Sequence, residues 1–126
     1  MHFSLPSALI ASILAAVTCS AQAQGKDAPA LECNVGPLTR TFGGTPWLVY
    51  SCADSASIVV VTKEGNPAMP FYFFISKREG RYVVVGEGTG AKSITDLAYN
   101  ELVKLRAGDI ASLISASRSV PPPGGK

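Results

Sequence analysis

The chain has 126 residues, 47% of them hydrophobic and 16% charged, with 11 Lys+Arg against 9 Asp+Glu and a formal net charge of +2. That length holds one domain and leaves no room for two ordinary ones, and the composition is too apolar for a disordered chain. A small net charge without a basic cluster argues against a dedicated nucleic-acid binder.

Residues Leu5 to Val17 (LPSALIASILAAV) carry no charged side chain, and Ala21-Gln22-Ala23 follows as an A-x-A pattern before Gln24. This layout predicts a signal peptide over 1–23, cleaved after Ala23, with an n-region that has only the amino terminus and His2. The apolar run falls short of the ~20 residues that span a bilayer, which favours export over an anchor. Lipid attachment through Cys19 is the third reading; Ala16-Val17-Thr18 before it departs from a Leu at the first position and a Gly or Ala at the last. The implied location is periplasmic or secreted, with no membrane contact after cleavage.

Cleavage removes the sole histidine, His2, and one of the three cysteines. Without imidazole, Ser-His-Asp and Cys-His nucleophile systems are closed, and two cysteines cannot build a closed zinc site. No metal and no cofactor are expected. Paired thiols persist as disulfides in an oxidising compartment, and the one intramolecular pairing left is Cys33 with Cys52. Closing a loop of about 20 residues contributes ~3 kcal/mol in the chain-entropy account. The spacing is not C-x-x-C, so a structural bridge is predicted rather than a redox-active one.

Along the mature chain, 24–30 reads as a flexible leader, 31–118 as one domain and 119–126 (Val120 to Lys126 being VPPPGGK) as a disordered tail. Leu31 to Val35 is a short edge strand, broken by Gly36-Pro37. Leu38 to Phe42 extends again before a turn at Gly43 to Pro46. Four stronger β runs follow at Trp47–Cys52, Ser57–Thr62, Phe71–Ser76 and Arg81–Val85. Their short connections favour an antiparallel meander, with Asn66 to Pro70 as a rigid turn. Ser93 is a candidate N-cap, with Asp96 imitating a capping box. Ile94, Leu97, Ala98, Leu102 and Leu105 recur at helical spacing. Gly108 ends that helix and Asp109 caps a second, with Ile110, Leu113 and Ile114 on one face. The fold class is α+β: four or five antiparallel strands, then two C-terminal helices packed on one face.

These strands are apolar on both sides, which a half-exposed antiparallel sheet should not be. Phe71, Phe73 and Ile75 point one way, and Tyr72 and Phe74 the other. Two helices cover one face. Three covers fit the second: Leu31 to Gly44 folded across it and pinned by the disulfide, a second copy of the chain, or a partner or apolar ligand. Trp47 and Tyr50 read as core or cross-strand partners rather than a recognition platform.

Gly86-Glu87-Gly88-Thr89-Gly90-Ala91-Lys92-Ser93 joins a strand to a helix. Glu87, Gly88, Gly90, Lys92 and Ser93 form the candidate ligand site there: free N–H groups at a helix start and a lysine suit an anion. Ala91 occupies the position where a phosphate loop needs glycine. The plain alternative is a flexible connection. Glu87 is a candidate general acid or base only if buried, and no second carboxylate neighbours it for paired-carboxylate chemistry.

The Trp47–Asp54 run, then Gly65 to Phe73, then Gly86 to Gly90 together resemble small exported proteins of Gram-negative bacteria that carry no established activity. The resemblance covers about Pro46 to Leu113 and implies export alone. Tyr50-Ser51-Cys52 also resembles the lead-in to a hairpin in periplasmic C-type lysozyme inhibitors, all-β barrels whose S-x-S-G-x-R-Y-type motif is missing here. The reading is a small binding or accessory module, inhibitor-like in one variant, with an envelope protein or a second copy as partner and no catalytic residue. The alternative is a small anion-handling enzyme using Glu87 and Lys92.

Overall fold

The computed structural model describes residues 30–121. Strands β1 (Val35–Phe42), β2 (Thr45–Ser51), β3 (Ile58–Thr62), β4 (Phe71–Arg78) and β5 (Arg81–Gly88) precede helices α1 (Lys92–Leu102) and α2 (Ala107–Arg118). The strands make one antiparallel sheet in the order β1-β2-β3-β4-β5. The protein is α+β, a five-stranded meander followed by two C-terminal helices. The expected signal peptide with Cys19, all but the last residue of the leader, and the tail from 122 onward lie outside the described residues.

Turn chemistry fixes the meander. Gly43 and Gly44 (φ 60° and 80°), and Glu79 and Gly80 (φ 51° and 80°), are two-residue hairpin turns with positive φ at both positions, the geometry that matches strand twist. Gly43 has a second reason to be glycine: a Cβ there would lie 2.6 Å from the Ala98 amide nitrogen of α1. Between β2 and β3 the Asp54 carboxylate accepts from the Ala56 and Ser57 N–H groups (2.9 and 2.8 Å) and from Ser57 Oγ (2.6 Å). Burial pushes this carboxyl up, but those bonds outweigh it and hold the group below its ordinary value. Between β3 and β4 the buried Asn66 donates to the Pro46 carbonyl (2.7 Å) and accepts from the Ala68 N–H (2.8 Å), so Asn66 to Pro70 is the tight turn expected of it.

Alternation sorts the side chains. Trp47 and Val49, Ile58 and Val60, and Phe73 and Ile75 point to the helices and are buried with Ala98, Leu102, Ile110 and Ile114. Trp47 is core: its indole N–H reaches the Phe42 carbonyl (3.0 Å), and its ring lies 5.4 Å from that of Phe73. α1 packs on β1 and β5, and α2 lies along β1 and β2. The Ser117 hydroxyl of α2 donates to the Ile114 carbonyl (2.7 Å) and lies 2.6 Å from the buried Ser51 hydroxyl of β2. Cys33 and Cys52 form the predicted disulfide, which extends the β1–β2 hairpin beyond the Val35–Ser51 pair.

Four local expectations change. The chain from Val35 to Phe42 does not fold across the second face: it pairs edge-on with β2, with a register shift between Val35 and Leu38 where Gly36-Pro37 interrupts it. β5 runs on to Gly88 because Gly86, Glu87 and Gly88 pair with Phe73, Tyr72 and Phe71. α1 begins earlier than Ser93: the Ala91 carbonyl accepts the Ile94 and Thr95 N–H groups, no side chain caps it, and Asp96 pairs with Lys92 (2.9 Å) instead. α2 starts at Ala107, since Asp109 accepts the Arg106 N–H from inside the first turn (2.8 Å). Gly108 therefore lies within α2 rather than ending α1, which stops at Leu102.

Candidate functional site

The sheet face away from the helices is uncovered among the described residues. Cross-strand pairing places Tyr50, Val59, Phe74 and Val85 in one row, and Leu48, Val61, Tyr72 and Glu87 in the next. Tyr72 and Val85 are 40% and 41% exposed, and the apolar members between them are only half-buried. Two depressions meet at Tyr72 and Glu87. One, of about 520 Å³, runs from Val61 to Met69, Pro70 and Thr89. The other, of about 330 Å³, is walled by Phe74, Val85 and Arg78. Together they make an apolar groove along β4 and β5. At its middle Tyr72 Oη donates to Glu87 Oε2 (2.8 Å). That bond and the negative charge beside it raise the Tyr72 phenol above its ordinary value.

Of the expected anion site, Gly88, Gly90 and Lys92 line one hollow, while Glu87 and Ser93 stand outside it. Glu87 shares its face with Val85 and Val83, so it turns into the open groove. Lys92 lies on the helix side and is tied to Asp96 at 2.9 and 3.1 Å, with 85% of its side chain exposed. Gly88 and Gly90 owe their identity to packing. A Cβ on Gly88 would lie 2.4 Å from the Pro70 carbonyl oxygen, and one on Gly90 only 1.6 Å from that of Ala68. The Thr89 and Gly90 N–H groups both donate to Pro70 O (3.1 and 3.2 Å), so neither is free to receive an anion. Ser93 lies exposed in the first turn of α1. A hollow of about 470 Å³ opens between α1 and β4–β5, where Gly88, Gly90 and Lys92 of the expected site stand with Phe71, Phe73 and Tyr99. Glu87 is not part of it.

Sequence reasoning missed Tyr72, Phe74, Arg78 and Val85 as companions of Glu87. Strand parity was the available signal: residues 81, 83, 85 and 87 share a face once β5 is known to reach Gly88. Among the described residues no cluster of three or more His, Cys, Asp or Glu side chains could hold a metal ion, and no helix is long and apolar enough to cross a membrane. Comparison with protein families, curated proteins and solved structures finds no match.

Proposed function

We propose that this is an exported binding or accessory module, periplasmic or secreted, that engages an envelope protein through the open face of β4–β5. An inhibitor-like role would use the same surface. One observation carries the reading: a continuous row of aromatic and branched side chains stands uncovered on a small domain whose opposite face is packed by two helices. Apolar patches of this kind, rimmed by polar groups, mark contact surfaces. Here the polar groups are Arg78 at one end and the Tyr72–Glu87 bond across the middle. The Cys33–Cys52 bridge is compatible with an oxidising compartment. The enzyme reading lacks support, because Glu87 and Lys92 do not face a common cavity.

The test is capture from a periplasmic extract with the full chain and with a Tyr72→Ser/Phe74→Ser variant whose folding is checked by its circular dichroism. Enrichment of one envelope protein by the wild type and its loss with the variant is expected. Equal recovery with both would remove the open face from the account. Intact mass of the exported form checks cleavage after Ala23: an uncut or lipid-bearing chain overturns that part.

A further inference from the structure

The two edges of the sheet differ. At β1 the Gly36-Pro37 interruption breaks the ladder, Pro37 has no N–H to donate, and both helices pack on the strand. At β5 nothing among the described residues pairs with the outer edge. This strand, Arg81–Gly88 (RYVVVGEG), holds no proline, and its residues pair with β4 without a register break. The two-residue turn makes Arg78 and Arg81 a hydrogen-bonded pair, so alternate residues bond to β4. Tyr82, Val84 and Gly86 then present their N–H and C=O groups outward. A regular strand with free backbone groups is a template for another strand.

We propose that β5 pairs antiparallel with β5 of a second copy, about a two-fold axis at Val84. The sequence of the strand selects this register. With Val84 opposite Val84 of the second copy, every outward N–H of Tyr82, Val84 and Gly86 meets an outward C=O of Gly86, Val84 and Tyr82. On the open face Val83 meets Val85, and Arg81 meets Glu87 of the second copy, once on each side of the axis. On the helix face Tyr82 meets Gly86 of the second copy, a glycine already approached by the Phe71 and Phe73 rings of its own chain, so no side chain at 86 obstructs the pairing. Within one copy Arg78 and Arg81 stand directly opposite each other, a like-charged pair that disfavours the hairpin. The salt bridge formed among the described residues is Lys92–Asp96, and none of the described carboxylates pairs with either guanidinium group. Glu87 of the second copy supplies a carboxylate. Residue i contacts j and j contacts i, as a closed two-fold interface requires. The open face is left free and becomes continuous across the pair, so the assembly stands or falls separately from the binding role.

Sedimentation velocity of the full chain from micromolar to millimolar concentration tests this, using wild type, R81E, E87R and an equimolar mixture of the two variants. R81E is the control for E87R, because it leaves the Tyr72–Glu87 bond in place. Wild type is expected to dimerise. Each single variant places like charges opposite each other at both ends of the paired strands, which weakens association roughly ten- to hundredfold. The mixture restores opposite charges at both ends and is expected to recover the dimer as a heterodimer. A wild type that stays monomeric at millimolar concentration overturns the proposal. So does dimerisation that R81E and E87R leave unchanged, or a mixture that associates no better than its components.

Discussion

The β1–β2 side and the β4–β5 side of one sheet are built to different specifications. The first carries the disulfide, the buried Trp47, the Ser51–Ser117 contact and most of the packing of α2. The second has an edge that no described strand pairs with, a bare face, and glycines at Gly86 and Gly88 where the Phe71 ring and the Pro70 carbonyl leave no room for a Cβ. A domain this small has few ways to stabilise itself beyond its core. Cross-linking one hairpin and packing both helices over it lets the other hairpin keep apolar groups in contact with water. The difference separates where the fold is held from where it meets other molecules.

The largest expected contrast is between Trp47 and Phe74, aromatic residues on opposite faces. Trp47→Ala should cost about 4 kcal/mol, the range for emptying a core aromatic site, and it also removes one of the two side-chain donors to the Phe42 carbonyl, leaving the Thr45 hydroxyl. Phe74→Ala, on the open face, should cost about 1 kcal/mol because less area leaves water on folding. Equal costs in denaturant titration would mean that the second face is covered.

Removing the bridge through Cys33→Ala and Cys52→Ala should lower stability by ~3 kcal/mol under the loop-entropy account. Hydrogen exchange is expected to quicken first in β1, whose end the bridge holds. Uniform acceleration through β5 would show that the two sides unfold as one unit. Next comes Ser117→Ala, expected to cost about 1–2 kcal/mol by leaving the Ser51 hydroxyl buried without its partner, whereas Ser51→Ala/Ser117→Ala should recover much of that loss.

Smaller effects follow from the two shifted groups, one on each side. The Asp54 carboxyl lies below its ordinary value of 3.8 when folded. Its contribution is therefore complete above that pH and is lost as the pH falls through the lower folded value. Asp54→Asn should flatten stability against pH in that acid range; an unchanged profile would remove the turn from the account. On the open side, Glu87→Gln should bring the Tyr72 phenol back down towards its ordinary value, read by ultraviolet titration. No movement would mean that the two side chains do not meet in solution.

The strands were legible because runs such as SIVVVT and FYFFIS combine β-formers with turn residues at both ends. Their two-sidedness led correctly to a second face in need of an account. What escaped was placement that depends on partners far along the chain. Leu38 to Phe42 reads equally as an edge strand or a cover, and only pairing with β2 decides. Gly108 reads as a helix end, yet the Arg106–Asp109 contact starts α2 ahead of it. Glu87 and Lys92 lie five residues apart and look like neighbours, but strand alternation carries one to the open face while the helix carries the other away. Gly88 and Gly90 read as an anion loop because the carbonyls they accommodate, those of Pro70 and Ala68, are remote in sequence.

The central claim is that the β4–β5 face is open while the opposite face of β2 and β3 is packed under the helices. Paramagnetic relaxation by a soluble, uncharged agent measures this directly in solution. Side-chain signals of Tyr72, Phe74 and Val85 should broaden strongly, with Trp47, Val49 and Ile58 hardly affected. Protection of Tyr72, Phe74 and Val85 to the level of Trp47 would contradict it.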